Sequence, residues 1–259
     1  MKKIFAVCMI LCQYGLFAQR PVFVSQDDFS ADWFNGFDNF GSAYFVRDNT
    51  FYKKKEAKLL QYNTISLGKI KHVDLQNPLN IVLLYADFNT VVILDNQLNE
   101  TQRINFSEYP DPLVVTATGI ASQNRLWVYN SLTQQLGLYD YLKNNYVPIT
   151  QSMTGNIHYY ETDFNTFQWI DDQQNWFSCD VFGKIASHGK VPVSNALQFV
   201  SATSLLYFKD GVLNFFDGVK SSPISVDLPK KTVLGFWYGQ QNLSIFTTEG
   251  ISNFKIKLP

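Results

Sequence analysis

Six times along this chain a short apolar run ends in an acidic or amide residue followed by a turn residue. The pairs are Asp48-Asn49, Asp95-Asn96, Asn130-Ser131, Asp171-Asp172, Asp217-Gly218 and Glu249-Gly250. The intervals are 47, 35, 41, 46 and 32 residues, a mean of about 40, the length of one four-stranded propeller blade. Asp and Asn side chains bond back to nearby backbone and tolerate turn geometry, so such pairs punctuate hairpins. No stretch calls for a long helix. The pattern predicts an all-β chain, a six-bladed β-propeller in one domain, because single blades cannot bury their faces alone.

Within that frame the blades are expected to start near residues 38, 79, 113, 154, 197 and 230. The best internal match pairs Asp87-Phe88-Asn89-Thr90 with Asp163-Phe164-Asn165-Thr166, each with an aspartate five residues on (Asp95 and Asp171). It reads as one hairpin repeated two blades apart, with the Phe capping the core. The last blade shows only three clear strands. Val22-Phe23-Val24 stands alone near the start and is expected to supply the fourth, closing the ring and hiding its edges.

The first residues read as an export signal spanning 1–18. Lys2 and Lys3 precede an apolar run, and Leu16-Phe17-Ala18 before Gln19 resembles a cleavage site. Residues 19–259 then form the propeller, expected in the periplasm or at the outer membrane. Val7 and Leu11 before Cys8 and Cys12 are not the small residues of a lipidation signal. Cleavage leaves Cys179 as the one cysteine, in a strand-like run where it reads as a small buried apolar residue.

The whole chain carries 21 basic and 22 acidic residues, without the basic face of a nucleic-acid protein. The cluster Lys53, Lys54, Lys55 and Lys58 reads as a solvated hairpin tip. Aromatic content of 16% suits sheets, where flat rings pack across the pleat.

Asp38-Asn39-Phe40-Gly41-Ser42-Ala43-Tyr44 resembles the Asp-x-Phe-Gly-x-x-Tyr start of NHL-like propeller blades. With Leu67-Gly68-Lys69-Ile70, Asp74-Leu75-Gln76-Asn77-Pro78-Leu79 and Leu94-Asp95-Asn96-Gln97-Leu98, the region 38–106 is similar to an exported propeller family of Bacteroidetes. The resemblance implies a propeller in a Gram-negative envelope, and a core position for Phe40. It transfers no catalytic residue.

No HExxH, paired cysteines, EF-hand loop, phosphate loop or Gly-x-Ser-x-Gly occurs. His72, His158 and His188 lie far apart in the sequence. No cofactor or metal site is expected. Propeller enzymes gather acidic side chains around one channel mouth, and Asp74, Asp87, Glu161 and Asp163 are candidates by position, with turn formation as the plainer role. Trp33, Phe34 and Phe37 lie in a segment rich in Asp, Asn and Gly that reads as a loop. They are the candidate binding residues, anchors for a protein partner or a sugar ring. The expected function is a non-enzymatic interaction module of the cell envelope. The alternative is a ligand-binding or metal-dependent hydrolytic propeller using its central channel.

Overall fold

The computed structural model describes residues 21–226 and 232–258; the expected export signal lies outside the described residues. The chain forms six four-stranded antiparallel sheets. Blade 1 comprises β2 (Trp33–Phe37), β3 (Ala43–Arg47), β4 (Thr50–Lys55) and β5 (Lys58–Tyr62). Blade 2 comprises β6 (His72–Asp74), β7 (Ile81–Tyr85), β8 (Thr90–Leu94) and β9 (Glu100–Asn105). Blade 3 is built from β10 (Val115–Ala121), β11 (Arg125–Asn130), β12 (Gln135–Asp140) and β13 (Asn145–Pro148). In blade 4 stand β14 (Ile157–Thr162), β15 (Thr166–Asp171), β16 (Asn175–Asp180) and β17 (Ile185–Lys190). Blade 5 holds β18 (Ala196–Phe199), β19 (Leu205–Lys209), β20 (Val212–Phe216) and β21 (Ser221–Ile224). Blade 6 takes β22 (Val233–Gly239), β23 (Asn242–Thr247) and β24 (Gly250–Lys255) from the end of the chain, and β1 (Val22–Asp27) from its start.

The six-bladed ring and its closure by the N-terminal strand are as the sequence predicts. β1 pairs antiparallel with β24, Phe23 opposite Phe254 and Asp27 opposite Ile251. The phase of the repeat differs from the sequence reading. Four of the six acidic or amide pairs end the second strand of a blade, but Asp95-Asn96 and Asp217-Gly218 end the third. Those two displacements produce the long-short intervals. The Asp87 and Asp163 tetrapeptides are likewise one hairpin out of step: the first joins β7 to β8, the second β14 to β15. Successive hairpins of a meander are locally alike, so turn chemistry marks hairpins without numbering them. Phe88 and Phe164, expected to cap the core, are substantially exposed.

Blades 1 and 2 begin earlier than expected. The inner strand of blade 1 is β2, in the segment read as a loop. Its Asp, Asn and Gly content reflects a bulge between Phe34 and Gly36 and a close packing partner, not a loop. The core lies between blades. Distinct buried clusters join blades 1–2, 2–3, 3–4, 4–5 and 5–6. Blades 6 and 1 meet through Phe34 on Phe246 (6.5 Å between rings) and Phe37 on Trp237 (5.7 Å). Cys179 is fully buried, and burial pushes its thiol up to about 12.

Candidate functional site

The inner strands surround an axial cavity of about 740 Å³. The pairing registers place one residue per blade at the same level of its wall. Gly36, Asp74, Gly119, Glu161, Gln198 and Trp237 each pair with the residue three before the end of the neighbouring second strand.

Three of these side chains reach the next blade in the same manner. Asp74 Oδ2 accepts the Ile120 N–H at 2.6 Å, Glu161 Oε1 accepts the Phe199 N–H at 2.9 Å and Gln198 Oε1 accepts the Tyr238 N–H at 2.7 Å. Each donor follows the equivalent residue of the next blade by one. Gln198 Nε2 also donates to the Tyr238 carbonyl at 2.8 Å. The acidic ring residues are therefore staples that satisfy backbone groups at blade junctions.

The two glycines receive a neighbour instead. A Cβ on Gly119 would lie 2.0 Å from Thr162 Oγ1 and 2.6 Å from Asp74 Oδ2. Thr162 Oγ1 donates to Asp74 Oδ2 at 3.0 Å across this gap. At Gly36, with φ of 120°, a Cβ would lie 2.2 Å from Trp237 Nε1. Trp237 thus lies over blade 1, and Gly36 carries nothing toward blade 2. This junction has no ring-level side-chain staple.

Electrostatics follow from the enclosure. Burial raises the Asp74 pKa against bonds from Gln76 N, Ile120 N and Thr162 Oγ1. Burial pushes Glu161 up to about 7, and the Asp74 charge adds to the shift. Glu161 Oε1 takes both of that residue's bonds, from Tyr159 Oη at 2.5 Å and from Phe199 N. Oε2 receives none from the described residues, and Glu161 lines the cavity. His72 packs on Tyr160 in a tilted contact with 4.4 Å between ring centroids, and burial lowers its imidazole to about 4.

Asp74 and Glu161 therefore do face the channel. Asp87 is an exposed partner of Lys71 at 3.0 Å, and Asp163 shapes its own turn by accepting from Asn165 N and Thr166 N. His72 and His158 line the cavity, whereas His188 bonds Ser178 Oγ at 2.8 Å. Trp33, Phe34 and Phe37 all line the cavity from β2; Trp33 also packs against the blade 1–2 core. Sequence reasoning missed Gln198 and Trp237, whose roles appear only in the register of separate blades. Among the described residues no group of three or more His, Cys, Asp or Glu side chains is placed to hold a metal ion, and no helix is long and apolar enough to cross a membrane.

A second pattern lies at the hairpin tips. Phe40, expected in the core, is 72% exposed. Its N–H donates to Asp38 Oδ1 at 2.9 Å, and this Asx turn places the side chain outward. The same bond recurs from Leu79 N to Asn77, Leu142 N to Asp140, Phe182 N to Asp180 and Val219 N to Asp217. All five tips lie on one face of the ring, since the first and third hairpins of a blade point the same way. Each apolar side chain is at least 62% exposed.

No family model matches the sequence, and no curated protein does. Among solved structures the chain is similar to a virginiamycin B lyase from Staphylococcus aureus, solved as an inactive variant with quinupristin (TM-score 0.55, 11% identity, 86% of this chain and 80% of that one). It is also similar to the Cps50 (Swd1) propeller domain of Myceliophteria thermophila (0.60, 10%, 92% and 100%). A third likeness is to BBS1N in complex with ARL6DN (0.61, 11%, 92% and 97%). At these identities the likeness establishes the propeller fold alone.

Proposed function

We propose that the protein is a non-enzymatic interaction module of the bacterial cell envelope, exported to the periplasm or outer membrane, that binds a protein partner through the face bearing the five apolar tips. The carrying observation is the recurrent Asx turn that holds Phe40, Leu79, Leu142, Phe182 and Val219 outward on five successive blades. Fixed apolar side chains on rigid hairpins lose little entropy on docking, and separate tips suit a broad partner better than a small ligand. The use of Asp74, Glu161 and Gln198 as blade staples supports a structural rather than a catalytic channel. BBS1N, a propeller of similar fold, was solved with a partner protein. The exported Bacteroidetes propellers resembled by residues 38–106 fit the same reading.

Tagged protein purified from envelope fractions is expected to bring down one stable partner. A variant with Phe40, Leu142, Phe182 and Val219 changed to serine is expected to lose that partner while melting at the same temperature. Retention of the partner would reject this face as the binding surface. A second reading, ligand binding in the channel, draws on the free Glu161 oxygen and the aromatic lining of the cavity.

A further inference from the structure

We propose that the axial cavity binds a small organic cation, an ammonium group on a compact hydrocarbon body, between Glu161 and the aromatic wall formed by blades 1 and 6. The proposal develops the ligand-binding reading and is independent of the partner face. The cavity runs the length of β2 and β6, from Trp33 and Lys71 at one end to Asn39 and Pro78 at the other. At the ring level of this wall Gly36 has no side chain to send to blade 2.

Its charge is one-sided. Asp74 and Glu161 line it, and among the described residues neither forms an ion pair. The nearby ammonium, that of Lys71, is held by Asp87 at 3.0 Å. Asp74 is saturated by three donors, whereas the described residues donate to Glu161 only at Oε1. The lining from blades 1 and 6 includes Phe37, Phe236 and Trp237. Ring faces carry negative quadrupole potential, so they attract cations that anionic side chains attract too. Asn35 on the same wall has a carboxamide oxygen that no donor reaches. A neutral ligand would leave the carboxylates unbalanced; an ammonium ion supplies the missing charge and keeps its alkyl body against the rings.

The proposal carries its own pH signature. Burial places Glu161 near 7, so a cation that needs its ionised form binds about tenfold tighter at pH 8 than at pH 6. The other titratable groups that share the lining are Asp38, which pairs with Lys53 at 3.7 Å, and Asp74, His72, His158, Tyr159, Tyr160 and Lys71. His72 and His158 are therefore each changed to glutamine in control proteins, which are expected to retain the pH step.

The experiment titrates the purified protein with tetramethylammonium chloride, followed by tryptophan fluorescence from Trp33 and Trp237 and by calorimetry. Neopentyl alcohol serves as the neutral isostere and methyl β-glucoside as the sugar control. Saturable binding of the cation is expected, with no matching response to either neutral compound. Glu161→Gln keeps an oxygen for Tyr159 and Phe199, so it is expected to fold, bind at least tenfold more weakly at pH 8 and show no pH step. A readout without any variant is the proton count. At pH 7 cation binding is expected to release protons, seen as different apparent enthalpies in phosphate and Tris buffers. Equal binding of the neutral isostere, preference for the glucoside, undiminished binding by Glu161→Gln or the absence of proton release would each overturn the proposal. Loss of the envelope partner in the four-serine variant leaves this result unaffected, so the two readings fail separately.

Discussion

At Gly119 a single methyl group would meet Thr162 Oγ1 and Asp74 Oδ2 inside contact distance. The position must stay empty for the blade 2 carboxylate and the blade 4 hydroxyl to meet over it. Gly119→Ala is expected to cost about 1–3 kcal/mol by overpacking, read as a shifted denaturation midpoint with an unchanged slope. Glu161 makes the opposite demand, since its side chain is required while its charge is not. Its folded pKa near 7 lies above the ordinary carboxylate value of 4.5. The folded protein therefore holds a proton between those values that the unfolded chain releases. Stability from this group is fully present below about pH 4.5 and is lost as pH rises through 7. Glu161→Gln is expected to melt close to the parent at pH 4.5 and above it at pH 8, with the gap opening between. Melting curves at several pH values check the sign, and a gap that opens toward acid contradicts it.

Hairpins are the unit the sequence spells out most clearly. Asn49 and Asn89 occupy equivalent turns between second and third strands, with φ of 58° and 48°. Each side chain grips the segment entering the next blade: Asn49 holds Gly68 O and Ile70 N, and Asn89 holds Leu113 O and Val115 N. Asn89→Ala removes these bonds and the one to Ser107 Oγ, forces a left-handed alanine, and is expected to cost about 2–4 kcal/mol. Asn89→Gly is expected to recover the backbone part of that loss, as denaturant titrations of the two variants would reveal. Such turns were legible because one residue type performs a local task. Their place in the blade was not legible, since Asp95 and Asp171 make the same bonds, to the N–H groups two and four residues on, at different hairpins. β2 escaped notice for a related reason: Gly36 is dictated by Trp237, 201 residues later in the chain. Asp74 and Glu161 are legible as candidates by their position near strand starts. Their work as staples depends on Ile120 and Phe199, which local spacing does not connect to them.

A closed ring of meanders distributes its stability over junctions, and the one between chain ends is made by β1. Its side chains contribute little burial, for Val22, Phe23 and Val24 are 65%, 59% and 55% exposed. What β1 supplies is pairing along β24 and closure. Asn253 Nδ2 donates to Ser25 Oγ at 3.1 Å and to Asp27 Oδ2 at 2.9 Å. Gly250, with φ of 130°, lets Asp27 O come to within 2.3 Å of where a Cβ would stand. Deleting residues 21–27 exposes β24 as an unpaired edge, and is expected to lower the melting temperature by about 10 °C, the scale of a few kcal/mol in a chain of this size. A variant with Val22, Phe23 and Val24 changed to serine separates the two contributions. It keeps the backbone ladder and loses the apolar side chains, including the Phe23 edge contact to Phe254 at 5.8 Å. If closure by hydrogen bonding is the main contribution, the serine variant retains most of the melting temperature and stays monodisperse, while the deletion aggregates on heating. Equal losses in the two proteins would assign the effect to side-chain cover and reject closure as the source of the stability.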